Sequence, residues 1–293
     1  MTGGDPFELD RAGVRAAFDR AGATYEAAAV LQAKVGEELL ERLAPFQLDP
    51  ALILDLGAGT GRFSAELKRR YRRSRVIALD LAPGMLRQAV RHQGWRRRFD
   101  RVCADATRLP LKPASVDVVF SNLMLQWCDP PDRALAEARR VLNPHGFFAF
   151  STLGPDTLKE LRSAWGEADE HTHVNRFLDM HDVGDALMRA GFSEPVLDVE
   201  RLTVTYADVM PLMRDLQSIG ARNVTAGRVR SLTGKDRLRR MRAGYEAFRR
   251  EGSLPATYEV IYGAAWSCGR AVPASGVPGT EVRIPAARIG RRR

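Results

Sequence analysis

The sequence predicts an α/β protein with a mostly parallel sheet and helices on both faces. Three observations carry that expectation. Between residues 52 and 153, short apolar runs alternate with segments of helical period. The first four runs end in polar residues, namely Asp55, Asp80, Asp105 and the pair Ser121-Asn122. The first run opens into a turn with glycine at every second position, Gly57-Ala58-Gly59-Thr60-Gly61.

The elements follow in order. Residues 7–20 and 24–44 read as helix, because Phe7, Val14, Phe18, Tyr25, Ala28 and Leu31 recur at spacings that form one apolar stripe. Pro45 and Pro50 end this arm. Leu52–Leu56 reads as a buried strand, 62–71 as helix, and 75–81 as a strand. Helix 84–91 starts at Pro83-Gly84, strand 100–104 ends at Asp105, and strand 116–120 follows. Helix 131–141 leads through a turn at 143–146 into strand 147–153. Beyond it, 156–168 and 182–190 read as helices, the second stopped by Gly191. Residues 196–206 alternate as a strand, 208–252 hold two helices, and 257–266 form a last strand. Residues 271–293 are rich in Pro, Gly, Ala, Ser and Arg and are expected to be a flexible basic tail.

Bulk properties bound the function. The 293 residues are 45% apolar, enough for one large domain. No apolar run approaches the length of a bilayer span, and no secretory signal is visible at the start. The scattered Cys103, Cys128 and Cys268 form no CxxC pair, which points to reduced thiols in a cytoplasmic protein without a disulfide framework or metal site. The net charge is +9. It favours an anionic partner, whether nucleic acid, an acidic protein or an anionic small substrate. The five histidines, His92, His145, His171, His173 and His181, fall mostly in turns and read as surface or capping residues.

The glycine turn has three candidate ligands. A phosphate loop needs Lys-Ser/Thr after the last glycine, and Arg62-Phe63 follows instead. The dinucleotide fingerprint needs glycine at the sixth position counted from Gly57, and that position is Arg62. An adenosyl site remains, in which glycines let the backbone approach a ribose and an amino-acid moiety. The strand ends suit it. Asp55 can pair with a ligand ammonium, Asp80 with both ribose hydroxyls, Asp105 with an adenine amine, and Asn122 with the ligand's amino-acid end. Ligands of open parallel sheets bind at those carboxyl ends.

The stretches LDLGAGTG (54–61), ALDLAPGML (78–86), ADATRLPL (104–111) and VDVVFSNLMLQW (116–127) resemble the class I S-adenosylmethionine-dependent methyltransferases. That resemblance implies a Rossmann-like seven-stranded sheet and S-adenosyl-L-methionine as methyl donor. It extends the expected donor site to Gly57, Gly59, Leu81, Met85, Ala106 and Leu123. The flanks VRAAFDRAGATYEAAAVLQ (14–32), HVNRFLDMHDVGDALMRAGF (173–192), DLQSIGARNVTAGR (215–228) and LPATYEVIYG (254–263) are similar to the malonyl-acyl-carrier-protein O-methyltransferases of biotin synthesis. This implies methylation of the free carboxylate of a malonyl thioester, carried by an acidic acyl-carrier protein or by coenzyme A. It also implies an N-terminal arm over the cofactor (1–49), a methyltransferase domain (50–270), and helical lid segments near 155–192 and 208–252.

Carboxylate methylation needs no general base, because the carboxylate is already ionised at pH 7. No catalytic residue is therefore assigned. Positioning needs a cation, and Arg176, Arg222 and Arg228 are the candidates because arginine binds carboxylates bidentately. Tyr25 and Gln32, seven apart on one helical face, are expected to reach the cofactor from the arm. Tyr258 is expected to line the acceptor pocket. Three alternatives stay open: another small-molecule methyltransferase, a related assembly-factor enzyme, and an RNA methyltransferase. The (N/D)PP(Y/F) motif of adenine N-methylation is missing, since Ser121-Asn122-Leu123-Met124 stands in its place.

Overall fold

The computed structural model describes residues 9–95, 97–221, 223–225 and 234–267. Phe7, Arg222, Arg228, Cys268 and the expected tail at 271–293 lie outside the described residues. Seven strands form one sheet: β1 Leu52–Leu56, β2 Arg75–Asp80, β3 Asp100–Cys103, β4 Val116–Asn122, β5 Leu142–Leu153, β6 Ser193–Tyr206 and β7 Leu254–Trp266. Their spatial order is β3-β2-β1-β4-β5-β7-β6. Pairing from β3 through β5 is parallel, while β7 runs antiparallel to both neighbours. The chain order reverses between β1 and β4. Open α/β sheets hold their ligands at such a switch point.

Period-two side-chain alternation separates two cores. Leu54 and Leu56 pack with Val119, Phe148 and Phe150 under α6 (Asp132–Val141) and α8 (Met180–Arg189). Ile53, Val118, Phe120 and Phe147 face the other way. They meet Val35 and Leu39 of α3 (Val30–Glu41) and Phe63 and Leu67 of α4 (Arg62–Arg70). A third apolar cluster joins α7 (Lys159–Gly166), α9 (Val209–Ser218) and α10 (Lys235–Glu246) to the β6–β7 hairpin. No helix among the described residues is long and apolar enough to cross a membrane.

Several boundaries differ from the sequence expectation for physical reasons. The first helix, α1, is Arg11–Ala21, with the Asp10 carboxylate accepting from the Gly13 N–H at 3.0 Å. The expected helix 24–44 is broken into α2 (Tyr25–Ala28) and α3 by Ala29 at φ −83°, ψ 40°. Helix α5 is Pro83–Gln88, with proline in its first turn, and a short 3₁₀ turn, Ala89–His92, follows. The expected turn at 143–146 is an irregularity inside β5: Val116 pairs with Leu142 and Val118 with Phe147, and His145 takes φ 63°. Helix α7 starts three residues later than expected at 156, because Leu158 sits at φ 54°.

Candidate active site

The glycine turn lies between β1 and α4, and each of its glycines has positive φ. The N–H groups of Gly57 and Ala58 both donate to the Leu79 carbonyl, at 2.8 and 3.0 Å, which folds the turn onto β2. A Cβ on Gly57 would lie 2.3 Å from Met124 Cγ, whereas one on Gly59 would meet nothing within 4 Å. Gly59 therefore faces open space at the strand ends. The Asp80 carboxylate fixes it there, accepting from the Gly59 N–H at 2.8 Å and from the Ala82 N–H at 2.8 Å.

A cleft opens on this turn. Gly57, Gly59, Asp80, Leu81, Met85, Asp105, Ala106, Asn122 and Leu123 line it, and Tyr25 closes it from the arm. A second depression adjoins it and shares Tyr25, Gly57, Gly59 and Asn122. There Asp55 and Gln32 join the wall. Every residue expected at the donor site thus borders one of these two spaces. Tyr25 and Gln32 do so although the helix that was expected to align them is broken between them.

Burial sets the electrostatics. Asp55 is 1% exposed and accepts from Ser64 Oγ at 2.5 Å. Burial pushes its pKa up to about 7; the Ser64 hydrogen bond opposes this and the charge of Asp80 adds to it. Burial also raises Asp80, against the hydrogen bonds from the Ala82, Gly59 and Leu81 N–H groups. The Tyr25 hydroxyl is held well above its ordinary pKa, first by burial and then by Asp80 and Glu26. It is a neutral donor at neutral pH. Cys128 borders the cleft, and burial drives its thiol up to about 12, which keeps it protonated at neutral pH.

A third space, the expected acceptor-side chamber, meets the cleft. Tyr25, Phe18, Leu123 and Trp127 line both, and Gln32 belongs to the chamber and the second depression. Phe18 and Trp127 contact edge to face at 5.0 Å and 86°. Leu123 holds φ 50°, a conformation that costs a non-glycine residue about 1–2 kcal/mol. Its N–H is held by the Ser151 carbonyl at 3.1 Å and Ser151 Oγ at 3.0 Å.

The expected acceptor residues divide. Tyr258 is 7% exposed and lines the chamber. Arg176 does not: it is exposed and borders two other depressions, because its neighbour Asn175 takes the inward position on that segment. Ala221 and Asn223, on either side of Arg222, both line the chamber.

Several residues that border these spaces were not assigned to the site from the sequence. Arg11 on α1 ion-pairs with Asp105 and donates to Thr107 Oγ1 at 2.6 Å. Arg15 on the same helix also borders the cleft. Trp127 was visible at the end of the fourth strand motif. His173, expected as a surface residue, stacks on Trp165 in the chamber wall at 3.8 Å and 9°.

These spaces suit an adenosyl donor bearing an ammonium. Gly59 leaves a cradle that a side chain would fill. Asp80 and Asp55 supply carboxylates, and the Gln32 Oε1 acceptor is buried without a partner. Comparison with known proteins agrees. Residues 54–150 match the family described as Methyltransferase domain. A malonyl-[acyl-carrier protein] O-methyltransferase of Methylovorus is 55% identical over 268 residues, which cover 89% of this chain and 90% of that protein. The chain belongs to the malonyl-[acyl-carrier protein] O-methyltransferase family. The enzyme of that name from Halorhodospira halophila is 48% identical and matches over the full length of both chains. Phosphoethanolamine N-methyltransferase 2 of Haemonchus contortus, solved with S-adenosyl-L-methionine, shares the fold at 16% identity and a TM-score of 0.53. That match covers 86% of this chain and 57% of the other. This family member is an S-adenosylmethionine-dependent methyltransferase with the Rossmann-like class I fold.

Proposed function

We propose that this methyltransferase esterifies the free carboxylate of a malonyl group carried as a thioester on an acyl-carrier protein, in the biotin pathway. One observation carries the reading: Tyr25 borders the donor cleft, the adjoining depression and the acceptor-side chamber at once. Bound S-adenosyl-L-methionine supplies an electrophilic methyl group on a sulfonium. Asp80 would take the ribose hydroxyls, and Asp55 with the unpartnered Gln32 carboxamide would take the ammonium. Asp105, with Ala106 beside it, would face the adenine, where it exchanges its Arg11 partner for the ring amine.

The chain's work on the acceptor is alignment and exclusion of water. Phe18, Leu123 and Trp127 form an apolar partition between the spaces, and a dry junction favours a reaction in which opposite charges cancel. Tyr25 can donate a hydrogen bond there without ionising. Arg222 and Arg228, outside the described residues, are the proposed carboxylate cations, and the chamber-lining neighbours of Arg222 support its choice. Tyr258 would complete the acceptor wall. The +9 net charge suits an acidic carrier protein, whose encounter it would speed at low salt.

Expression in a biotin-requiring bacterium that lacks its own malonyl methyltransferase tests the proposal. Growth without biotin is expected. Failure to grow with the folded protein present, while a known family member restores growth, would contradict it.

A further inference from the structure

A further cavity is claimed neither by the donor nor by the malonyl group. This depression, of about 230 Å³, adjoins the chamber, and Gln126, Leu153 and Phe177 line both. Leu125, Leu178 and Val183 make the rest of its wall mainly apolar. It lies close to the junction of cleft and chamber, because Gln126 Nε2 donates to the Leu123 carbonyl at 2.8 Å. Leu9 borders it from the arm and bridges to Thr225. The Thr225 N–H in turn donates at 2.9 Å to Oδ1 of Asn223 in the chamber wall.

Arg176 is the cation of this wall. It is exposed, and among the described residues no other lysine or arginine lines the depression. Among those residues it makes no hydrogen bond or ion pair. A guanidinium without a partner presents a planar fork of donors that matches phosphate oxygens. Asp129, the one acidic residue there, is exposed and already engaged. The chain holds Arg176 outward from both sides. Asn175 is buried, and the Asp179 carboxylate caps α8 by accepting from the His181 and Asp182 N–H groups at 2.8 and 2.9 Å.

The other spaces suit a phosphate less well. The cleft is expected to hold the donor. The second depression that Arg176 borders is walled by Asp169, Glu170, Asp179 and Asp182. The Arg162 guanidinium in that wall donates to the Pro155 and Thr157 carbonyls at 3.0 and 3.1 Å. A phosphate would meet carboxylates there, and a free cation over an apolar wall beside Leu178.

We propose that the depression seats the phosphopantetheine arm of the acyl-carrier protein, with Arg176 on its phosphodiester. The arm's methyl and methylene groups lie on Leu125, Leu178 and Val183, and its thioester end passes Phe177 into the chamber. The inference rests on the malonyl-carrier reading above and assigns a subsite within it.

Arg176→Gln and Arg176→Glu, compared with the wild type on three substrates, test it. The substrates are malonyl-carrier protein, malonyl-phosphopantetheine and malonyl-pantetheine, which lacks the phosphate. Calorimetric affinity for S-adenosyl-L-methionine within about twofold of wild type reports an intact fold. KM for both phosphate-bearing substrates should rise roughly fivefold or more in Arg176→Gln, and further in Arg176→Glu, while kcat changes little. KM for malonyl-pantetheine should stay within about twofold in Arg176→Gln. Unchanged KM for the phosphate-bearing substrates overturns the inference, and so does an equal rise for all three. A rise confined to the carrier protein places the contact on the carrier's own surface and overturns it as well. A wild-type enzyme that binds the donor yet methylates none of the three overturns the function reading itself, so the two failures are distinguishable.

Discussion

Asn122 donates from Nδ2 to the backbone carbonyl of Gln32 across 2.9 Å. Its Oδ1 accepts from Ser151 Oγ at 2.8 Å. One side chain therefore ties the N-terminal arm to the ends of β4 and β5. Asn122→Ala would leave the Gln32 carbonyl and the fully buried Ser151 hydroxyl each short of a partner. A stability loss of roughly 1–3 kcal/mol is expected by chemical denaturation, with weaker donor binding as the arm loosens. Unchanged stability and affinity would contradict that tie.

The two glycines flanking Thr60 should respond differently to alanine. Gly59 (φ 55°) and Gly61 (φ 77°) both take the left-handed conformation, so each substitution costs about 1–2 kcal/mol in backbone strain. A Cβ on Gly59 points into empty space, whereas one on Gly61 would lie 2.8 Å from Ala89 Cβ and 3.0 Å from Phe99 Cζ. Gly61→Ala should therefore show the larger fall in thermal stability. Gly59→Ala should remain folded and lose donor affinity by roughly tenfold or more, as expected of a methyl group placed where the ligand sits. Equal effects of the two on calorimetric affinity would misplace the donor.

Asp80 holds two backbone N–H groups and faces the cleft. Asp80→Ala should weaken S-adenosyl-L-methionine binding by roughly 1.5–3 kcal/mol, the range for hydrogen bonds to a charged group. Calorimetry reads this directly. Wild-type affinity in the variant would show that the ribose lies elsewhere.

Asp55 gives the donor site a pH dependence. Burial lifts its carboxyl from an ordinary 3.8 to about 7, so the folded state holds that proton more tightly than the unfolded state. Its contribution to stability without ligand is full below the unfolded value and is lost as pH rises through about 7. A ligand ammonium needs the ionised form, so donor affinity should rise over the same window, with proton uptake by the buffer on binding. Asp55→Asn should flatten both trends. Calorimetry in buffers of differing ionisation enthalpy tests this, and an affinity independent of pH in the wild type would contradict it.

Much of the candidate donor site was legible because strand ends are local features. Asp55, Asp80, Asp105 and Asn122 each close an apolar run, and parallel pairing brings those ends to one edge of the sheet. The chamber was less legible, since its wall is assembled from α7, residues 173–177, α9 and β7, which are distant in sequence. His173 read as a loop histidine because its partners, Trp165 and Asp169, become neighbours only when that segment folds back. Arg176 and Asn175 are adjacent in sequence, and only the structure says which of them turns inward. The break at Ala29 was also hidden, because Ala27-Ala28-Ala29 is a helix-favouring run and the arm's packing overrides its propensity.

The most direct measurement is mass spectrometry of malonyl-carrier protein after incubation with the purified enzyme and S-adenosyl-L-methionine. The expected result is a single methyl ester on the malonyl carboxylate, formed together with S-adenosyl-L-homocysteine and absent when acetyl-carrier protein is supplied instead. An enzyme that binds the donor yet leaves the malonyl carboxylate free would contradict the assignment.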